Sequence, residues 1–239
     1  MTPNTKNAYI ETKQIVRGDA GIKPEFVPLV EWIDETYGVK TLNITYYEDD
    51  AHTQTPHIHG YVESEEEWNK LYRPDGSFFD INVLDAIARK FCGTITQQGL
   101  AKSNSLLTRL FGQRENGRYL TDNRMGVSFG IFANDAKMET RWKIDRSQLD
   151  GFIQSLDNSA LWTVEFGYTA VPTFFVLTDD QIQEFNQPAI LSAWSDRFYE
   201  FVTPFDEFNY FGRDCSQIAI DSKENFDNNF SSNWYYYFK

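Results

Sequence analysis

Thr41–Val62 reads TLNITYYEDDAHTQTPHIHGYV, and the fold turns on this stretch. Leu42, Ile44 and Tyr46 alternate with Asn43, Thr45 and Tyr47, the period-two pattern of a half-buried strand. A polar turn, EDDAHTQTP, leads to a second strand expected at about 57–63. There Ile58 and Val62 point into the core, while His57, His59, Tyr61 and Glu63 share the other face.

Upstream of this hairpin, YIETKQIVRG at about 8–17 is expected as a strand. A helix follows Pro24, with Phe26, Val30, Ile33 and Tyr37 on one face and Gly38 at its end. Downstream, Ser64 and Glu67 have capping-box spacing and open a short helix through Tyr72. Asp80 caps a helix with Leu84, Ile87, Ala88 and Phe91 on its face, expected to stop at Gly93. Residues 94–125 are polar and poorly periodic, and read as a linker or long excursion with a short helix at Leu106–Phe111. VSFGIFA and METRWKI then suggest a hairpin around Asn134-Asp135. Further on come a helix capped by Ser147, the strands LWTVEFGY and PTFFVL, a helix opened by Thr178 and a longer one after Pro188. Short strands are expected near 208–212 and 216–221, and a last one in WYYYFK.

These elements make an α+β protein of mainly antiparallel sheets with helices on one face. The expected organisation is an N-terminal part, 1–93, the segment 94–125, and a C-terminal part, 126–239. Both parts follow the order strand, helix, strand, strand, helix, and in both the last strand starts after a proline, Pro56 or Pro172. That order admits a repeat of about 110–115 residues.

Composition narrows the function. Of 239 residues, 41% are hydrophobic, enough for a packed core and too many for wholesale disorder. Lys and Arg number 22 against 35 Asp and Glu, a net charge of −13. Such a surface opposes wrapping nucleic acid or docking on an anionic membrane. No run of 18 apolar residues exists. Cys92 and Cys215 fit no metal spacing and read as free thiols of a cytoplasmic protein. One local exception is Ala86–Arg124, with seven basic and two acidic residues, a stretch that could meet phosphate. No phosphate-binding glycine loop and no nucleophile elbow are read.

All three histidines, His52, His57 and His59, lie within eight residues. Two imidazoles at i and i+2 on a strand can chelate one metal, with a carboxylate such as Glu63 completing the set. Pro56-His57-Ile58-His59 resembles the His-hydrophobic-His motif of the HUH endonucleases, the rolling-circle replication initiators and relaxases. By that resemblance His57 and His59 would hold Mg²⁺ or Mn²⁺, which would polarise a scissile phosphate. A tyrosine, Tyr119 in the basic stretch, would attack it. His57, His59 and Glu63 are also similar to the first metal motif of the cupins, although no histidine follows His59 to complete it.

Aromatic residues make up 16% of the chain, and Trp234–Phe238 is their densest run. On a strand, Trp234, Tyr236 and Phe238 would share a face suited to docking a partner. The leading expectation is therefore a non-catalytic, acidic protein-interaction module whose partner is another protein. A metal-dependent HUH-like nuclease, with nucleic acid as partner, is the alternative.

Overall fold

The structure, a computed structural model, describes residues 2–48, 55–72, 79–102, 117–121, 125–167, 171–213 and 218–239. The chain divides into two units, Met1–Phe132 and Ala133–Lys239. The class is α+β, and among the described residues each unit holds one three-stranded sheet.

In the first unit the order is α1 (Pro3–Arg17), α2 (Val27–Tyr37), β1 (Thr41–Glu48), β2 (Pro56–Val62), α3 (Glu65–Asn69), α4 (Ile81–Gln97) and β3 (Gly126–Ile131). β2 is central, antiparallel to β1 and parallel to β3. Ile44, Ile58, Val62 and Phe129 meet Leu29 and Ile33 of α2 and Ile87, Phe91 and Ile95 of α4 in one core. α1 adds a helix on the other face. Asn43 donates to Thr12 Oγ1 at 3.3 Å, and Tyr9 packs edge-on against Tyr61.

The second unit repeats this plan. α5 (Phe132–Lys143) begins directly after β3, followed by α6 (Arg146–Ser155), β4 (Leu161–Phe166), β5 (Pro172–Val176), α7 (Asp179–Phe185), α8 (Pro188–Val202), β6 (Ala219–Ser222), α9 (Lys223–Phe230) and α10 (Trp234–Tyr237). β5 is central, antiparallel to β4 and parallel to β6. Both hairpins shift register at the same place, Thr41/Asn43 opposite Val62 and Tyr61, and Leu161/Thr163 opposite Val176 and Phe175. Both central strands run into a helix closed by a capping box, Ser64 with Glu67 and Thr178 with Gln181.

Several expected elements change type. Residues 8–17 are helical. Thr2 caps the helix, Pro3 starts it, Gly18 ends it in the left-handed region, and Ala8, Tyr9, Thr12 and Lys13 are buried at helical spacing. Residues 132–143 are also helix rather than the second arm of a hairpin. Phe132, Ala136 and Thr140 are buried four apart, while Asn134 and Met138 between them are not; a strand would bury those too, so the pattern is that of a helix face. Gly93 does not stop α4, which runs on to Gln97. Asp145, not Ser147, caps α6. Residues 208–212 form no strand, and the strand expected at 216–221 is β6, Ala219–Ser222. The segment 94–125 opens inside α4, and Leu100, Ala101 and Tyr119 pack on the first core. Its expected helix at Leu106–Phe111 lies outside the described residues.

The C-terminus is the most consequential correction. Trp234–Tyr237 is a helical turn capped by Asn233. A helix groups i, i+3 and i+4, so Trp234, Tyr237 and Phe238 turn inward together. Trp234 stacks on Phe226 at 3.9 Å and meets Phe175 at 5.1 Å. Tyr237 donates to Asp221. Tyr235 and Tyr236 are left 58% and 57% exposed. Trp234→Ala should lower the unfolding free energy by about 2–3 kcal/mol, and Tyr236→Ala by less than about 0.5 kcal/mol. Chemical denaturation of the two variants checks this. Equal losses would support a strand, which puts both rings on one face.

Candidate functional site

Two places among the described residues have the makings of a site. The first lies on the polar face of the first sheet. Register sets His57 beside Gly126 and His59 beside Ser128. His57 Nε2 lies 2.8 Å from Ser128 Oγ, and His59 Nδ1 lies 2.7 Å from the same oxygen. The His57 ring stacks on Tyr47 with centroids 4.8 Å apart. His59 stands edge-on to Tyr61 at 5.0 Å.

Glycines make room for these rings. A Cβ on Gly126 would come within 2.2 Å of His57 Nδ1. One on Gly130 would come within 2.7 Å of Tyr61 Cε1 and 3.2 Å of His59 Nε2. His59 is only 6% exposed, and its Nε2 finds no hydrogen-bond partner among the described residues. Burial, with a smaller contribution from His57, lowers its pKa to about 4, so the ring is neutral near pH 7.

The two imidazoles thus converge on a hydroxyl. Glu63 is not brought to them. It lies past the end of β2 and pairs with Lys40 at 3.3 Å. No group of three His, Cys, Asp or Glu side chains able to hold a metal occurs among the described residues. Mg²⁺ and Mn²⁺ favour oxygen donors, and the described surroundings of the pair do not supply such a set. His52, Asp49 and Asp50 lie outside the described residues.

Tyr119 is not brought to the pair either. It belongs to the core on the opposite face of the sheet, against Phe26 and Tyr46. Its hydroxyl donates to Glu25 at 2.7 Å. Burial first, then that bond, pushes its pKa up to about 12, the reverse of what an attacking phenolate needs.

Ser128 has no part in the sequence-based expectation, yet Gly126-Val127-Ser128-Phe129-Gly130 has the Gly-x-Ser-x-Gly spacing of a nucleophile elbow. All five residues lie inside β3 and not at a strand-to-helix turn. The spacing was a signal in the chain, but its partners could not be read, since His57 is 71 residues away.

The second place is an aromatic groove in the second unit, about 440 Å³ in volume, between α5, the end of β4 and α10. Trp142, Phe166, Trp234, Tyr235 and Phe238 line it, with Arg141. Arg141 donates to the carbonyls of Phe166 and Gly167 and lies over the Phe166 ring at 5.3 Å. Trp142 is 63% exposed, and it also borders a second hollow of about 300 Å³ with Arg146 and Glu165. Of the expected docking residues, Trp234 and Phe238 reach this groove and Tyr236 does not line it.

The chain matches no protein-family model, no curated protein and no solved structure. No helix among the described residues is long and apolar enough to cross a membrane.

His59 makes a prediction about acid stability. Its pKa is about 4 when folded, against the ordinary 6.5 of a histidine in water. The unfolded chain therefore takes up the proton first as pH falls. Stability is lost from about pH 6.5 down toward pH 4, amounting to about 2–3 kcal/mol at pH 4.5. Urea unfolding at pH 7.5 and 4.5 should show this loss shrinking by that amount in His59→Gln. The same pH dependence in both proteins would contradict the buried, neutral ring.

Proposed function

We propose that the chain is a protein-interaction module whose second unit binds a basic protein partner in the aromatic groove. The observation that carries this reading is Trp142, 63% exposed on the lip of a groove lined by Trp234, Tyr235 and Phe238. An indole left in water beside a ready-made hollow is the composition of an interaction hot spot.

Charge supports a basic occupant. From residue 133 to the end there are eight Lys and Arg against seventeen Asp and Glu, a net charge of −9 out of −13. A field of that sign steers a cationic partner. The aromatic faces already attract cations from the chain itself. Lys239 Nζ lies 5.6 Å from the centre of the Tyr235 ring, and Arg141 lies over Phe166. A lysine or arginine from a partner would find the same attraction on Trp142. The nuclease alternative draws less support, because its metal pair and Tyr119 lie on opposite faces of the sheet.

A photo-crosslinking residue at position 138, on the lining of the same groove with Trp142 kept, introduced in cells of the natural source, tests this. A single adduct is expected, with a protein of net positive charge, and it should be lost in Tyr235→Ser. A control crosslinker at position 10, where Ile10 is 44% exposed in the first unit, should stay unlabelled. No adduct at 138, or the same adducts at both positions, would refute the reading.

A further inference from the structure

We infer that Ser128 is a nucleophile with His57 as its general base and His59 as a positioning residue, able to take an acyl group from an activated ester. This goes beyond the protein-binding reading and does not depend on it.

The hydrogen bonding assigns the roles. A hydroxyl has one proton and two lone pairs. With a ring nitrogen at 2.8 Å on one side and another at 2.7 Å on the other, Ser128 gives its proton to one imidazole and accepts from the other. A buried N–H without a partner is rarer than a bare acceptor. The unpartnered Nε2 of His59 is therefore the bare nitrogen, and its Nδ1–H points at Ser128. The serine proton then lies on the line to His57 Nε2. Nucleophile, base and orienting group are all within hydrogen-bond reach. Tyr47 fixes the His57 ring by stacking on it. Tyr47, His57 and Ser128 are only half-buried, so a reactant can approach.

The second unit serves as an internal comparison. Its register bulge matches Val62 with Val176, and the third strands end opposite them at Ile131 and Ser222. Three residues back, the pair His59 and Ser128 corresponds to Thr173 and Ala219. In the second sheet that place holds Thr173 and an exposed Ala219, with no imidazole and, on the third strand there, no hydroxyl. The fold therefore does not require the cluster. Nor does a structural serine need glycines on both sides to admit two imidazoles.

In the reaction, Ser128 Oγ bonds to the ester carbonyl carbon as the carbon–oxygen bond to the alcohol breaks. The serine proton passes to His57 Nε2 and on to the leaving alkoxide. Water then attacks the acyl-serine by the same route, which releases the carboxylate and restores the hydroxyl. No oxidation or reduction occurs.

A fluorophosphonate probe tests the first half on the full chain. Ser128 Oγ bonds to phosphorus, the phosphorus–fluorine bond breaks, and the proton leaves through His57 with fluoride. Peptide mass spectrometry should place a single adduct on Ser128, absent in Ser128→Ala and formed about 100-fold more slowly in His57→Gln. Circular dichroism of His57→Gln, whose ring is half-buried, keeps loss of folding apart from loss of the base. Labelling of Ser128 no faster than of other serines, or at an unchanged rate in His57→Gln, would overturn the inference.

Discussion

Everything in this molecule hangs on a central strand buried on both faces. β2 and β5 each sit between an antiparallel neighbour and a parallel one. Every residue of β5 is buried, and in β2 only His57 is partly open. Such a strand must satisfy its backbone in the ladder and its side chains in two separate layers. The parallel third strand cannot follow through a tight turn, because a parallel pair needs a long crossover. That crossover carries α3 and α4 in the first unit and α7 and α8 in the second. Geometry thus dictates where the long helices fall, and their apolar faces complete the two cores.

The two units treat the second face of the central strand differently, and that difference produces the two candidate sites. In the first unit Tyr9 of α1 closes one end of the face, over Tyr61 and Phe132. The other end keeps His57, His59 and Ser128. In the second unit Phe226, Trp234 and Tyr237 cover Phe175. The turn that carries Trp234 inward also carries Tyr235 outward, onto the groove beside Trp142. One topology therefore holds a polar cluster in one copy of the plan and an aromatic surface in the other.

Much of this was legible in the chain where a single physical signal dominated. The alternation of Leu42 through Tyr47 and the Ser64–Glu67 capping box gave the first hairpin and its following helix. α1 was not legible as a helix from its buried face, because Thr12 and Lys13 share that face with Ala8 and Tyr9. Polar residues at core-facing positions erase the apolar period. In α5, Phe132 and Ala136 mark the helical face, but the preceding VSFGIFA imposes an apparent alternation that hides the change at Phe132. Trp234–Phe238 is aromatic throughout, so no period exists to tell helix from strand, and Asn233 as a cap was the only local clue. The face shared by His57 and His59 was readable from their spacing. The hydroxyl between them was not, because a parallel partner strand arrives only after a long crossover, and Ser128 lies 69 residues from His59.

Hydrogen exchange on the intact chain tests the central-strand account most directly. Amides of residues 57–62 and 173–176 should be the slowest to exchange in their units, slower than those of the edge strands 41–48 and 161–166. Exchange along 173–176 as fast as in residues 161–166, or protection concentrated in α1 and α5 instead, would contradict it.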